Sequence, residues 1–117
     1  MIVRSKDELR AAIRAKAPEI TAEGSLAEHL HHGQKLRGFG RIVLALLAAA
    51  IVGIPVSGAI SAVAIAPIAA LTGVEIALII AAIALGIALL MTVWRDYDEV
   101  EFDWGPPPKA KFRRKSA

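Results

Sequence analysis

A long apolar stretch constrains this chain more than any other feature. From Ile42 to Trp94 the sequence contains one charged side chain, Glu75, and 56% of all 117 residues are apolar. A transmembrane helix needs about 20 apolar residues to cross a hydrocarbon core of about 30 Å. The stretch is too long for one such helix and too short for three. It therefore predicts two spans separated by a turn.

The residues before this stretch alternate between strand and helix patterns. Ser5 and Glu8 match a capping box at the start of one helix, and Ser25 and Glu28 match a second one. Short runs typical of strands precede each of these helices. Residues 1–40 are therefore predicted to form a β-α-β-α segment.

The residues after the stretch are typical of a strand pair. Val100, Phe102 and Trp104 alternate with acids, and the basic run KFRRK follows three consecutive prolines. Paired as a hairpin, the two strands place opposite charges across from each other, which fixes their register. An unstructured basic tail is the alternative, because two strands alone are barely stable. A sheet shared with the N-terminal strands removes that objection.

The charge distribution predicts the topology. Lys and Arg flank the stretch on both sides, whereas the turn near 67–74 carries none, so both termini are expected to face the cytoplasm. The expected fold class is a membrane α-helical hairpin of two spans over 41–94, with a small cytoplasmic α+β head formed by 1–40 and 95–117. The expected location is the inner, cytoplasmic membrane of a cell. The residues expected at the membrane interface are Arg37, Arg41, Trp94, Arg95 and Tyr97.

Small residues recur at four-residue intervals in the first predicted span. Rows of this kind allow helix backbones to approach closely in lipid, where packing drives association. They predict helix packing within the hairpin or between subunits of a homo-oligomer, through Ala45, Ala49, Gly53, Ser57, Ser61, Gly58, Ala62 and Ala66. Pro55 follows Gly53 closely, so the first span is either one kinked helix or two short helices.

Glu75 has two interpretations. Thr72 precedes it by three residues, so TGVE matches a capping box, and the pair is predicted to cap the second span near its positive dipole end. The alternative is a protonatable Glu75 in a proton or ion path. The apolar stretch contains no second charge with which Glu75 could pair.

A histidine cluster is the only candidate metal site. His29 and His32 are three residues apart on a predicted helix, and together with Glu28 they could share one metal. A solvated helix face is the simpler interpretation, and a pH-sensitive surface patch is another. The absence of cysteine excludes thiolate metal sites and disulfides. No cofactor is expected.

The sequence predicts a non-enzymatic protein. It contains no P-loop, no G-x-G-x-x-G, no G-x-S-x-G and no H-E-x-x-H motif. The net charge is +3, but the C-terminal bases are balanced by the acids just before them. No nucleic-acid partner is therefore expected.

Two functions fit these features. The first is an integral membrane protein that self-associates and anchors its head to the bilayer, where the head acts as a scaffold or binds a cytoplasmic protein. The second is an oligomeric pore-forming or membrane-permeabilising protein of holin-like or toxin type. In architecture alone, two spans and a charged tail resemble class II holins of phages, and that resemblance implies pore formation. The structured residues 1–40 depart from the holin pattern. The alanine-rich, cysteine-free composition fits a bacterial or phage protein.

Overall fold

The computed structural model describes residues 1–51 and 62–115, with the backbone alone for 62–64. Short helices and strands follow one another along the chain. In order, they are β1 (Ile2–Val3), α1 (Lys6–Arg14), β2 (Glu19–Glu23), α2 (Ser25–Leu36), a 3-10 turn (Arg37–Phe39), α3 (Gly40–Ile51), α4 (Ala62–Thr72), α5 (Ile76–Leu85), α6 (Ile87–Asp96), β3 (Tyr97–Asp103) and β4 (Lys109–Arg114).

The strands at the two ends of the chain form one mixed sheet. Its order is β1-β2-β4-β3, in which β1 is parallel to β2 and β4 is antiparallel to both of its neighbours. The parallel pair is joined by α1, whereas β3 and β4 form a hairpin. Pairing with β2 gives this hairpin the third strand that an isolated hairpin lacks.

The two faces of the sheet differ in chemistry. One face is buried under helices and contributes Val3, Ile20, Ala22, Ala110 and Phe112 to the core. On the other face the bases of β4 lie between the acids of β2 and those of β3. Lys111, for example, is 3.5 Å from Glu19 and lies opposite Glu101 in the strand register. Opposite charges across neighbouring strands stabilise this register.

The core extends from the sheet into the apolar helices. Side chains from α1, α2, α6 and the sheet surround a small cavity, lined by Leu9, Ile13, Ile20, Leu30, Val93, Tyr97 and Phe112. Helix α5 packs mainly against α2. Most of its side chains are buried, namely Leu78, Ile79, Ala81, Ala82, Ile83 and Leu85.

The predicted two-span membrane hairpin is wrong. Among the described residues, no single helix is long and apolar enough to cross a membrane. Ile65–Thr72 and Ile76–Leu85 meet that requirement by length and composition only when they are counted together, across a bend of 111°. The chain is instead an α+β protein built on a four-stranded mixed sheet. The same finding contradicts the predicted transmembrane, pore-forming character of the protein. The inner-membrane location stays a prediction.

A glycine explains much of the difference. The second predicted span follows the turn near 67–74 and ends at 94, but Gly86, with a φ of 84°, separates α5 from α6. Each of these helices has 10 residues, which is about 15 Å and half of a hydrocarbon core. A helix that is apolar on all sides belongs either in lipid or in a protein core. Here other parts of the protein cover α5.

The residues expected at a membrane interface have other environments. Trp94 and Tyr97 are buried in the core, with exposed fractions of 7% and 1%. The Tyr97 hydroxyl donates a 2.7 Å hydrogen bond to the Ala17 carbonyl oxygen, and burial raises the pKa of this phenol. Arg37, Arg41 and Arg95 are exposed, as charged side chains on any protein surface are.

Candidate interaction surface

Helix α6 lies between two surface grooves. The first, called here the α3 groove, has a volume of about 330 Å³ and is lined by Arg41, Leu44, Ala45, Ala48, Ile87 and Met91. The second, called the α1 groove, has a volume of about 290 Å³ and is lined by Arg10, Ile13, Arg14, Ala88, Leu89 and Thr92. The two grooves share α6 but use different residues of it.

The α3 groove is almost entirely apolar. Arg41, at the start of α3, is the one charged residue among those that line it. Met91, which lines the groove, is 54% exposed; Ile42 and Leu46, which lie on α3 outside the groove lining, are 79% and 46% exposed. Single exposed apolar residues are common, but a contiguous group of them marks an interaction surface.

The small residues predicted to pack helices are placed as follows. Ala45 lines the α3 groove, and Ala49 is exposed one turn further along the same helix. Ala62 and Ala66 belong to α4, where Ala66 is exposed. The other members of the two rows lie outside the described residues; they are Gly53, Ser57, Gly58 and Ser61.

The predicted capping box at Thr72 and Glu75 is not formed. Thr72 ends α4, where its hydroxyl donates to the Ile68 carbonyl oxygen at 2.7 Å and accepts from the Val74 amide at 3.3 Å. Glu75 itself is the N-cap of α5, and its carboxylate makes no capping hydrogen bond. Gly73, with a φ of 73°, turns the chain between the two helices, so Thr72 belongs to the helix before the turn.

His31 was not a predicted metal ligand, but it makes close side-chain contacts with Glu99, Phe102 and Trp104. His31 Nδ1 lies 3.1 and 3.2 Å from the two carboxylate oxygens of Glu99. Its ring stacks on Phe102 with 3.8 Å between ring centroids, and Trp104 meets it edge-on at 5.7 Å. These contacts join α2 to β3 across 68 residues of sequence. The alternation of Phe102 and Trp104 with acids was the available signal, but it does not reveal which histidine they contact.

His29 and His32 have the environment of partly buried surface histidines. Burial is the main cause that lowers the pKa of both, and the positive charge of Lys35 lowers the pKa of His32 further. Glu28 opposes the shift at both, and Glu75 also opposes it at His32. In the part of the chain that the structure describes, no three Asp, Glu or His side chains are grouped as metal ligands.

Comparison with known proteins gives a family without a described activity. No curated protein and no solved structure matches the chain. A family model described as "Uncharacterised protein PM1101" matches residues 2–111. The match extends from β1 into β4 and so includes both the sheet and the apolar helices. The chain therefore belongs to the family of uncharacterised protein PM1101.

Proposed function

We propose that this protein is a non-enzymatic interaction protein that self-associates through the α3 groove. The observation that carries the proposal is the exposed apolar surface of α3 and α6, where Met91 lines the groove and Ile42 and Leu46 lie on the helix that forms one of its walls. Ile42, Leu46 and Met91 are each between 46% and 79% exposed, and removing such surface from water is worth about 25 cal/mol per Å². A second copy of the chain would cover it.

The shape of the surface favours a second copy as the partner. The groove combines the small side chains of Ala45 and Ala48 with larger ones, those of Leu44, Ile87 and Met91. A two-fold contact uses the same patch on both subunits, so a patch with both ridges and a shallow floor can fit itself. Arg41 lies at the start of α3, where its long side chain can keep its charge in water.

Helix α4 carries further exposed apolar side chains. It packs against α3 and exposes Leu71 (70%) together with Ala66, Pro67 and Ala70. A specific interface usually buries more than about 1,000 Å² in total. The α3 groove and the exposed side of α4 together are the candidate area for a contact of that size.

Two features support a non-enzymatic role without a nucleic-acid partner. No Asp, Glu, His, Lys or Arg among the described residues is buried, so no buried acid or base faces a cavity there. The bases of β4 are neutralised by acids on both neighbouring strands, as with Arg113, which is 3.8 Å from Glu19 and opposite Asp98. A sheet face with such compensation lacks the unpaired positive charge that phosphate binding requires.

Sedimentation velocity over a wide concentration range tests this proposal. The wild type is expected to form a dimer or a larger closed oligomer. Met91→Glu places a charge in the groove, so this variant is expected to sediment as a monomer. Val100→Glu is the matched control, because Val100 is also apolar and 45% exposed but lies on β3. A monomeric wild type, or a Met91→Glu variant that still associates, would contradict the proposal.

A further inference from the structure

The α1 groove differs from the α3 groove in its electrostatics. Arg10 and Arg14 are one helical turn apart on α1, and both line this groove. Residues at this spacing have Cβ atoms about 5–6 Å apart on the same helix face. Lys6 precedes Arg10 by another turn, and its Nζ is 4.0 Å from the position that a Cβ on Gly86 would occupy. Two cations, Arg10 and Arg14, therefore line one wall of the groove, and Lys6 lies one turn before them on the same helix.

These cations have little compensation within the protein. Arg10 lies 3.9 Å from Asp7, whose side chain is 94% exposed, so this is a long and solvent-screened pair. In the described part of the chain, neither Lys6 nor Arg14 forms a salt bridge. At the far end of α6, Arg95 and Asp96 pair with each other at 3.0 Å. The groove therefore carries a net positive charge.

The remaining lining of the groove is largely apolar. Ile13, Ala88 and Leu89 contribute apolar carbon surface. The Thr92 hydroxyl already donates a 3.0 Å hydrogen bond to the Ala88 carbonyl oxygen. A small inorganic anion would leave this carbon uncovered. A nucleic-acid strand would use few of these contacts, because strong phosphate binding draws on many cations and only two, Arg10 and Arg14, line the groove.

We propose that the α1 groove binds an acidic amphipathic helix of a partner protein. The groove lies between α1 and α6, which is the geometry of helix-in-groove recognition. Acids one turn apart on the incoming helix match Arg10 and Arg14, and guanidinium groups bind carboxylates in a planar, bidentate manner. The apolar side of the same helix covers Ile13 and Leu89. Because this site uses α1 rather than α3, it is independent of the self-association proposed above.

The first test is an NMR titration of the full chain with two synthetic peptides. Both are amphipathic helices with leucine on one side; one carries glutamates at four-residue intervals and the other carries glutamines at the same positions. The glutamate peptide is expected to shift the amide signals of Ile13, Leu89 and Thr92 and to bind at least about tenfold more tightly, or about 1.4 kcal/mol. Equal binding of the two peptides would overturn the proposal, as would shifts that map to another surface. A single-stranded oligonucleotide that binds this groove more tightly than the glutamate peptide would overturn it too.

A charge swap separates lost recognition from misfolding, because a misfolded variant would not gain a new peptide ligand. Arg10→Glu with Arg14→Glu is expected to lose the glutamate peptide and to gain a peptide with lysines at the same positions. The matched control is Lys35→Glu with Arg37→Glu, which makes the same change in net charge at two exposed residues that do not line the groove. The control is expected to keep the wild-type preference. If it loses that preference, or if the swapped variant does not bind the lysine peptide, the arginine row does not recognise the partner.

Discussion

In the sheet, residue type indicates which side chains are buried and which are exposed, whereas in the apolar helices it does not. Along β4, buried Ala110 and Phe112 alternate with Lys109, Lys111 and Arg113, so each residue type indicates which face it occupies. Along α5 every residue is apolar, so the sequence does not indicate which side of the helix faces the core. Lipid and protein both satisfy such a helix, and only its length and its breaks distinguish the two. Apolar composition therefore shows that a segment is covered without showing what covers it.

The largest expected effect tests whether protein covers α5 on one side only. Ile79 is fully buried, whereas Ala77, two residues earlier on the same helix, is exposed. Ile79→Asp should destabilise the fold by at least about 4–5 kcal/mol, because it buries an unpaired charge. Ala77→Asp should change the free energy of unfolding by less than about 0.5 kcal/mol. Denaturant titration measures both. Comparable losses from the two substitutions would show that α5 is surrounded by an apolar medium on all sides.

A smaller effect tests the buried hydrogen bond of Tyr97, where the last helix meets the sheet. Tyr97→Phe removes the buried hydrogen bond to the Ala17 carbonyl oxygen and should reduce the free energy of unfolding by about 1–3 kcal/mol. Thr92→Val is the control, because its exposed hydroxyl bonds only to a carbonyl within its own helix. Its effect should be below about 0.5 kcal/mol. If Tyr97→Phe is equally silent, Tyr97 does not lie in the core described above.

The charged face of the sheet should tolerate single changes more readily. Lys111→Glu places like charges beside Glu19 and opposite Glu101, and should reduce the free energy of unfolding by less than about 1 kcal/mol. The loss should shrink at high salt, because exposed charges are screened. Urea titrations in low and high salt measure it. A loss that is larger at high salt would mean that these residues do not face solvent across paired strands.

The smallest effect concerns pH and His29. Burial lowers the pKa of His29 in the folded protein below the value of about 6.5 in the unfolded chain. The unfolded chain therefore binds this proton more readily, and stability should fall as the pH drops below about 7 and through the folded-state pKa. His29→Gln should lose less stability than the wild type over this interval. A difference in unfolding free energy that does not change with pH would contradict the partial burial of His29.

Local sequence patterns correctly predicted the N-cap of the first helix and the pairing of the two C-terminal strands. The Ser5 hydroxyl accepts from the Glu8 amide at 3.2 Å, as its capping motif requires. The acidic and basic strands pair with each other because their alternation specifies both the face and the partner. At the second motif the structure differs by one residue, since Gly24 rather than Ser25 precedes α2 as its N-cap.

Three features of the fold and the candidate surface could not be predicted in the same way. Gly86 interrupts a run in which a glycine is also compatible with a continuous helix, so the division between α5 and α6 depends on packing. His31 and Glu99 are 68 residues apart in the sequence, so only tertiary folding brings them together. The two grooves beside α6 require α1 and α3 to lie on either side of it, and this arrangement is set by tertiary contacts rather than by local spacing.

Nuclear Overhauser effects show directly whether the apolar helices and the sheet share one core. Leu9, Val93 and Phe112 lie on α1, α6 and β4 and line the same small cavity. With a shared core, cross-peaks are expected between the Val93 methyl groups and both the Leu9 methyl groups and the Phe112 ring in a methyl-labelled sample. A two-span hairpin with a separate head would place Val93 among lipid or detergent chains. Cross-peaks from Val93 to those chains, with none to Leu9 or Phe112, would contradict the shared core.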